Sequence, residues 1–212
     1  MKNKVRRIAA VLAAVLLLTA LPGAACHKSP FSDATQKPPV TWPVYSAQGI
    51  RFRFEAGFTA ADWAGLSDDL GYQLGLLGAS SHLTTLAYFV SPERDKGTHD
   101  YLHFACYRLD APMTDEQLMG LMDPLNRLDM ELNQGQLSAE CVQNARIRLY
   151  GSVTALTYAL RLTRGEVSCV QQFALVPRGT LLYQISYSDF TTASDSAALE
   201  QLLSSLTLPE GE

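Results

Sequence analysis

Few side chains in this sequence are reactive. Of 212 residues, four are histidine and four are cysteine. The cysteines include no Cys-x-x-Cys pair, which removes the usual dithiol redox site. There is no Gly-x-Ser-x-Gly elbow, and no Ser, His and acid set that spacing would nominate. "GLLGAS" has neither the lysine of a P-loop nor the spacing of a dinucleotide fingerprint. Internal repeats are absent. Long apolar runs are missing too. The N-terminal one, Ile8 to Leu21, holds 14 residues and ends at Pro22 and Gly23, short of the roughly 20 that a membrane span needs. These absences leave no enzyme class signalled and no cofactor called for.

What is present begins with a targeting pattern. Residues 1–25 carry Lys2, Lys4, Arg6 and Arg7, no acid, then the apolar run and small residues. That order matches a secretory signal peptide, an uncleaved anchor being the alternative. Without it the basic residues fall from 17 to 13 against 21 acids, a formal charge of −8. An acidic remainder argues against a nucleic-acid partner and against polybasic adhesion to anionic lipid. The "LPGAAC" ending allows cleavage after Ala25, and it also fits a lipobox in which Gly23 stands where leucine is usual. The Pro-rich stretch "HKSPFSDATQKPPVTWP" reads as a semi-extended spacer, so Cys26 is taken as a lipidation site, with 26–44 as a tether and 45–209 as one domain. A lipid anchor of two chains gives stable membrane attachment and an extracytoplasmic location.

Periodicity then sets out the domain. "GIRFRFEAGF" alternates, with Ile50, Phe52 and Phe54 on one face, and predicts a half-buried strand. Thr59 as N-cap, a Phe58–Trp63 staple and the stripe Leu66, Leu70, Leu74, Leu77 predict a helix. "HLTTLAYFV" and "YLHFACYRL" predict a hairpin. Thr114 and Gln117 form a capping box, with Met113 and Leu118 as staple. The helix should restart with Asp123 as N-cap and Pro124 at the first position, and stop at Gly135. "AECVQNARIRLY", "SVTALTYALRL", "EVSCVQQFALV" and "TLLYQISYS", separated by Gly-containing turns, predict an antiparallel meander. Leu199, Leu202, Leu203 and Leu206 predict a closing helix. The fold class is α+β: a mostly antiparallel sheet of about six or seven strands covered by three helices.

This order resembles the PsbP-like family of the Mog1/PsbP fold, and in particular its bacterial exported lipoproteins. The likeness runs from Ala47 to Pro209. It rests on "GIRFRFEAGF" as opening strand, "IRLYGSVTALTYALRL" as a strand–Gly–strand element, and "TLLYQISYSDFTTASDSAALEQLLSSLTL" closing on Ser205 and Leu206. The resemblance implies an α/β/α sandwich and a non-catalytic binding role. Members of the family bind a small GTPase or dock to a photosystem. The fold brings no catalytic motif, and fold alone does not fix function.

Three constellations remain. His99, Asp100 and His103 invite a metal, but four residues along a strand is about 13 Å, and a turn histidine beside an edge-strand histidine is the plainer reading. Cys106, Cys141 and Cys169 all lie in strand-like runs and read as free buried thiols, although an exported protein permits a disulfide. Arg51, Arg53, Arg146 and Arg148 fall opposite the apolar positions of their strands. If those strands are neighbours, the four form a docking patch for an acidic partner or ligand. The plainer alternative is that they are solvated or paired with acids on covering helices. The function expected is a membrane-tethered, non-catalytic module that binds a protein. The alternative is a small-ligand-binding lipoprotein serving transport or envelope maintenance.

Overall fold

The C-terminal meander forms as its alternation predicts. The computed structural model describes residues 33–34, 37–61, 83–92, 99–127, 129–132, 137–189 and 196–209. In chain order these give β1 (Asp33–Ala34), β2 (Val44–Ala47), β3 (Ile50–Arg53), β4 (Thr59–Ala60), β5 (Leu83–Val90), β6 (Tyr101–Arg108), α1 (Asp115–Gly120) and α2 (Met122–Asn126). Then follow β7 (Asp129–Leu132), β8 (Leu137–Tyr150), β9 (Val153–Arg164), β10 (Val167–Arg178), β11 (Leu181–Asp189) and α3 (Ser196–Ser205). Seven strands follow one another antiparallel, in the order β8-β9-β10-β11-β6-β5-β4. β7 pairs with the start of β8, and β1 lies parallel to its end. β2 and β3 form a separate hairpin. The coarse expectation, α+β with a mostly antiparallel sheet, holds.

Two-residue turns led by Gly151, Gly165 and Gly179 join the four meander strands. Gly151 is required: its φ is +58°, and a Cβ there would lie 2.9 Å from the Ser204 carbonyl oxygen. The turn can therefore sit against the end of α3 only without a side chain.

Each face of the sheet has its own core. On the first, α3 and the β2–β3 hairpin cover Leu102, Phe104, Ala155, Ala174, Val176, Tyr183 and Ile185. Leu199, Leu202, Leu203 and Leu206 are all buried there, as the stripe in α3 predicts. On the second face, Leu118 and Leu121 pack with Ile147, Leu156, Tyr158, Leu160, Phe173 and Leu175.

Several expectations are corrected. Thr59 does not cap a helix: Thr59–Ala60 continue the sheet against Val90 and Phe89, because the extended backbone finds open ladder positions beside β5. The Trp63–Leu77 stripe lies outside the described residues. The Thr114–Gln117 capping box forms with both of its bonds. The second helix restarts earlier, with Leu121 at the cap and no side-chain capping bond. Pro124 thus stands third in α2, still in the first turn, where an amide has no helical acceptor to lose. That helix does not run on toward Gly135: Asp129–Leu132 pair with β8 instead, and Gly135 itself lies outside the described residues. Among the described residues the helical cover is small, since α1 and α2 have six and five residues. Part of the expected spacer is not free, because β1 joins the sheet and Arg53 Nη1 donates to the carbonyls of Val40 and Trp42 at 3.1 and 2.8 Å.

Candidate functional site

The arginines divide into two groups. β3 belongs to the small hairpin and β8 to the large sheet, so the condition that their strands be neighbours is not met. Arg53 is turned toward the 40–42 backbone, and Arg51 is exposed. Arg146 and Arg148 sit opposite Thr157 and Ala155, on the face that α3 covers. There Arg146 Nη2 donates to Glu200, and Arg148 Nη1 stands 4.0 Å from the same carboxylate. Two half-exposed guanidiniums share one largely buried acid. This fits pairing with a covering helix, and it leaves a local excess of positive charge. Sequence reasoning named both arginines but missed Glu200, which alternates with the leucines of α3 on what reads as a polar side.

A second grouping went unread in the sequence. His103 is not an edge residue: β6 lies between β5 and β11. Its ring is buried, and Nε2 lies 3.0 Å from the Thr85 hydroxyl. Burial lowers its pKa from 6.5 to about 4, so the imidazole is neutral near pH 7 and a weak base. Ser186 stands opposite His103 in β11, with Gln184 opposite Ala105 and Ser188 opposite Tyr101. One strand further, Gln171 faces Ser188. All these polar side chains are buried. The Tyr107 hydroxyl donates to Gln184 Oε1 at 3.2 Å, and burial raises its pKa to about 12. The alternation in "YQISYS" made the stripe of Gln184, Ser186 and Ser188 visible. The fold buries that side of β11.

His99 and Asp100 close the β5–β6 hairpin. His99 Nδ1 lies 2.9 Å from the Ser91 carbonyl oxygen, and the Asp100 amide donates to the Ser91 hydroxyl. Among the described residues no three His, Cys, Asp or Glu side chains gather as metal ligands. Cys106, Cys141 and Cys169 are not joined in disulfides, and only Cys169 is fully buried. Cys106 packs with the first core and the other two with the second. Burial raises the pKa of both Cys106 and Cys141, which makes them poor nucleophiles.

Two small clefts flank Leu199 of α3. One is lined by Trp42, Phe54, Glu55, Phe58, Tyr187 and Leu199, the other by Gln143, Arg146, Thr157, Gln172 and Glu200. Each has about 10 Å³ of usable volume, room for about one water. Cys26 lies outside the described residues.

No family model matches the chain, and no curated protein does. A crystal structure of a protein from Bacteroides thetaiotaomicron aligns with 76% of this chain, at 8% identity and a TM-score of 0.46. This chain spans 46% of the length of that one.

Proposed function

We propose that the chain is a membrane-tethered, extracytoplasmic binding module. It is held by a lipid on Cys26 and folded as a PsbP-like α/β/α sandwich, and it does no chemistry. The N-terminal segment carries the location: positive residues, an apolar run too short to span, and "GAAC" before a polar stretch. The filled sheet supports the mode of binding. A small-ligand site needs about 300 Å³ or more, whereas the clefts beside Trp42 and beside Arg146 have about 10 Å³ each. Docking of a protein on the outer surface is therefore favoured over capture of a small ligand. Arg146 and Arg148 offer an acidic partner two guanidiniums neutralised by one carboxylate.

Crosslinking and mass spectrometry on intact cells test the reading. A partner joined through the α3–β8 surface, and lost when Arg146 and Arg148 are both reversed to Glu, is the expected result. A Cys26→Ser variant should leave the membrane fraction. A variant that stays there, or crosslinks unchanged by the reversals, contradicts the anchor or the surface respectively.

A further inference from the structure

The strands of the large sheet run between two ends of opposite character. At one end lie the Gly151–Ser152 and Gly179–Thr180 turns. β6 also finishes there, with Arg108 opposite Leu181. The segment after α3 is fastened to the same end: Arg51 and Thr207 exchange two backbone bonds of 2.9 and 2.7 Å, and Arg178 Nε donates to the Pro209 carbonyl at 3.3 Å. The β2–β3 turn meets Pro209 at Gly49. Arg51, Arg108 and Arg178 are all exposed here, with Asp110 also exposed nearby. The opposite end carries exposed Glu166 in the β9–β10 turn and Glu140 at the start of β8, the latter paired with Arg161, and Glu55 accepts from Tyr187. Three of the five exposed arginines among the described residues thus lie at one end of a net acidic chain, while Arg161 at the other end is paired with Glu140.

The N-terminus enters the sheet close to that end. β1 sets Asp33 level with Leu149 and Ala34 level with Tyr150, immediately before the Gly151 turn. Seven Cα steps from Cys26 to Asp33 reach at most about 25 Å. From Leu149 back to Leu137, twelve residues along β8 span about 40 Å. A chain anchored at Cys26 cannot therefore stand with its acidic end on the bilayer.

We infer that the end bearing Arg51, Arg108 and Arg178 docks on an anionic lipid surface, and that the short leash holds it there. The orientation rests on the lipid-anchor reading, but the surface does not. The attraction is of the kind a basic patch feels at a negative leaflet, and salt weakens it. It reverses the expectation drawn from net charge alone, which averages the two ends.

The test uses the mature chain from residue 26 carrying Cys26→Ser, so that no lipid contributes. It is floated with vesicles of phosphatidylglycerol and phosphatidylcholine, or of phosphatidylcholine alone. The chain should float only with the anionic vesicles, and less so as salt rises. Each arginine is worth about fivefold in partitioning at such a surface, so R108E with R178E should lower it at least about 25-fold. E166K, at the other end, should leave it unchanged. R51E supplies an independent second variant with a loss in the same direction. Failure to float with either vesicle, or flotation indifferent to R108E and R178E, overturns the surface. The mass of the native N-terminal peptide is read separately: an unmodified peptide overturns the anchor and the leash, while the vesicle result still decides the surface.

Discussion

The two faces of the sheet are built from the same strands yet solve burial differently. On the α3 side, Phe52 stacks on Phe104 and Tyr45 at centroid distances of 5.3 and 5.0 Å, and Phe54 lies 4.6 Å from Phe89. These rings satisfy one another by contact and need no polar partner. On the other side, β5, β6, β10 and β11 present Thr85, His103, Gln184, Ser186 and Gln171, of which the last four are buried. Such groups cost free energy unless each finds a hydrogen bond. The first face is held by area and shape, while the second combines an apolar core around Leu118, Leu156 and Phe173 with a buried polar stripe. A truncation should therefore harm the first face most, and a change of protonation the second.

The largest loss is expected where the aromatic face is opened. Phe104→Ala should destabilise the fold by about 3–5 kcal/mol, measured by denaturant unfolding. A loss near 1 kcal/mol would mean that the face is loosely packed.

The polar face should answer to pH instead. His103 is held near pKa 4, below its ordinary 6.5. Between those values the unfolded chain binds the proton and the folded chain resists it. Stability is fully present above about pH 6.5 and falls as pH drops toward 4, by about 3 kcal/mol in total. His103→Gln should flatten this part of the profile. An unchanged slope would show that another group sets it.

The cover of each face comes next. Gly151→Ala, at φ +58° against the end of α3, should cost about 1–2 kcal/mol from backbone strain, plus whatever α3 must shift. Thr114→Ala removes the capping box of α1 above the second core and should cost about 1 kcal/mol. The exposed Arg161–Glu140 pair, 3.2 Å apart, belongs to neither core. Breaking it with Glu140→Gln should change stability by less than about 1 kcal/mol.

The elements that sequence made legible are those whose pattern was local. Alternation gave β8 to β11, leucine spacing gave α3, and the Thr114–Gln117 pair gave the start of α1. Thr59 was misread because a Thr before an acid caps a helix in isolation, whereas here the open edge of β5 offers its backbone a ladder. Pro124 was placed two positions early, since helix restart depends on where Leu118 and Leu121 must bury. The site was less legible. Arg146 and Arg148 were visible by parity, but their shared Glu200 lies about fifty residues away. The buried polar stripe went unread, because alternation in one strand does not say which of its sides the sheet will cover. The sorting of charge between the two ends of the sheet depends on strand order, which no single segment contains.

The proposed tether, compartment and orientation at the bilayer all begin at Cys26. Mass spectrometry of the N-terminal peptide from protein isolated from whole cells decides whether they do. The prediction is a peptide beginning at Cys26 and heavier by a diacylglyceryl group. A peptide beginning at Cys26 with a free thiol, or one that still carries residues 1–25, would contradict it.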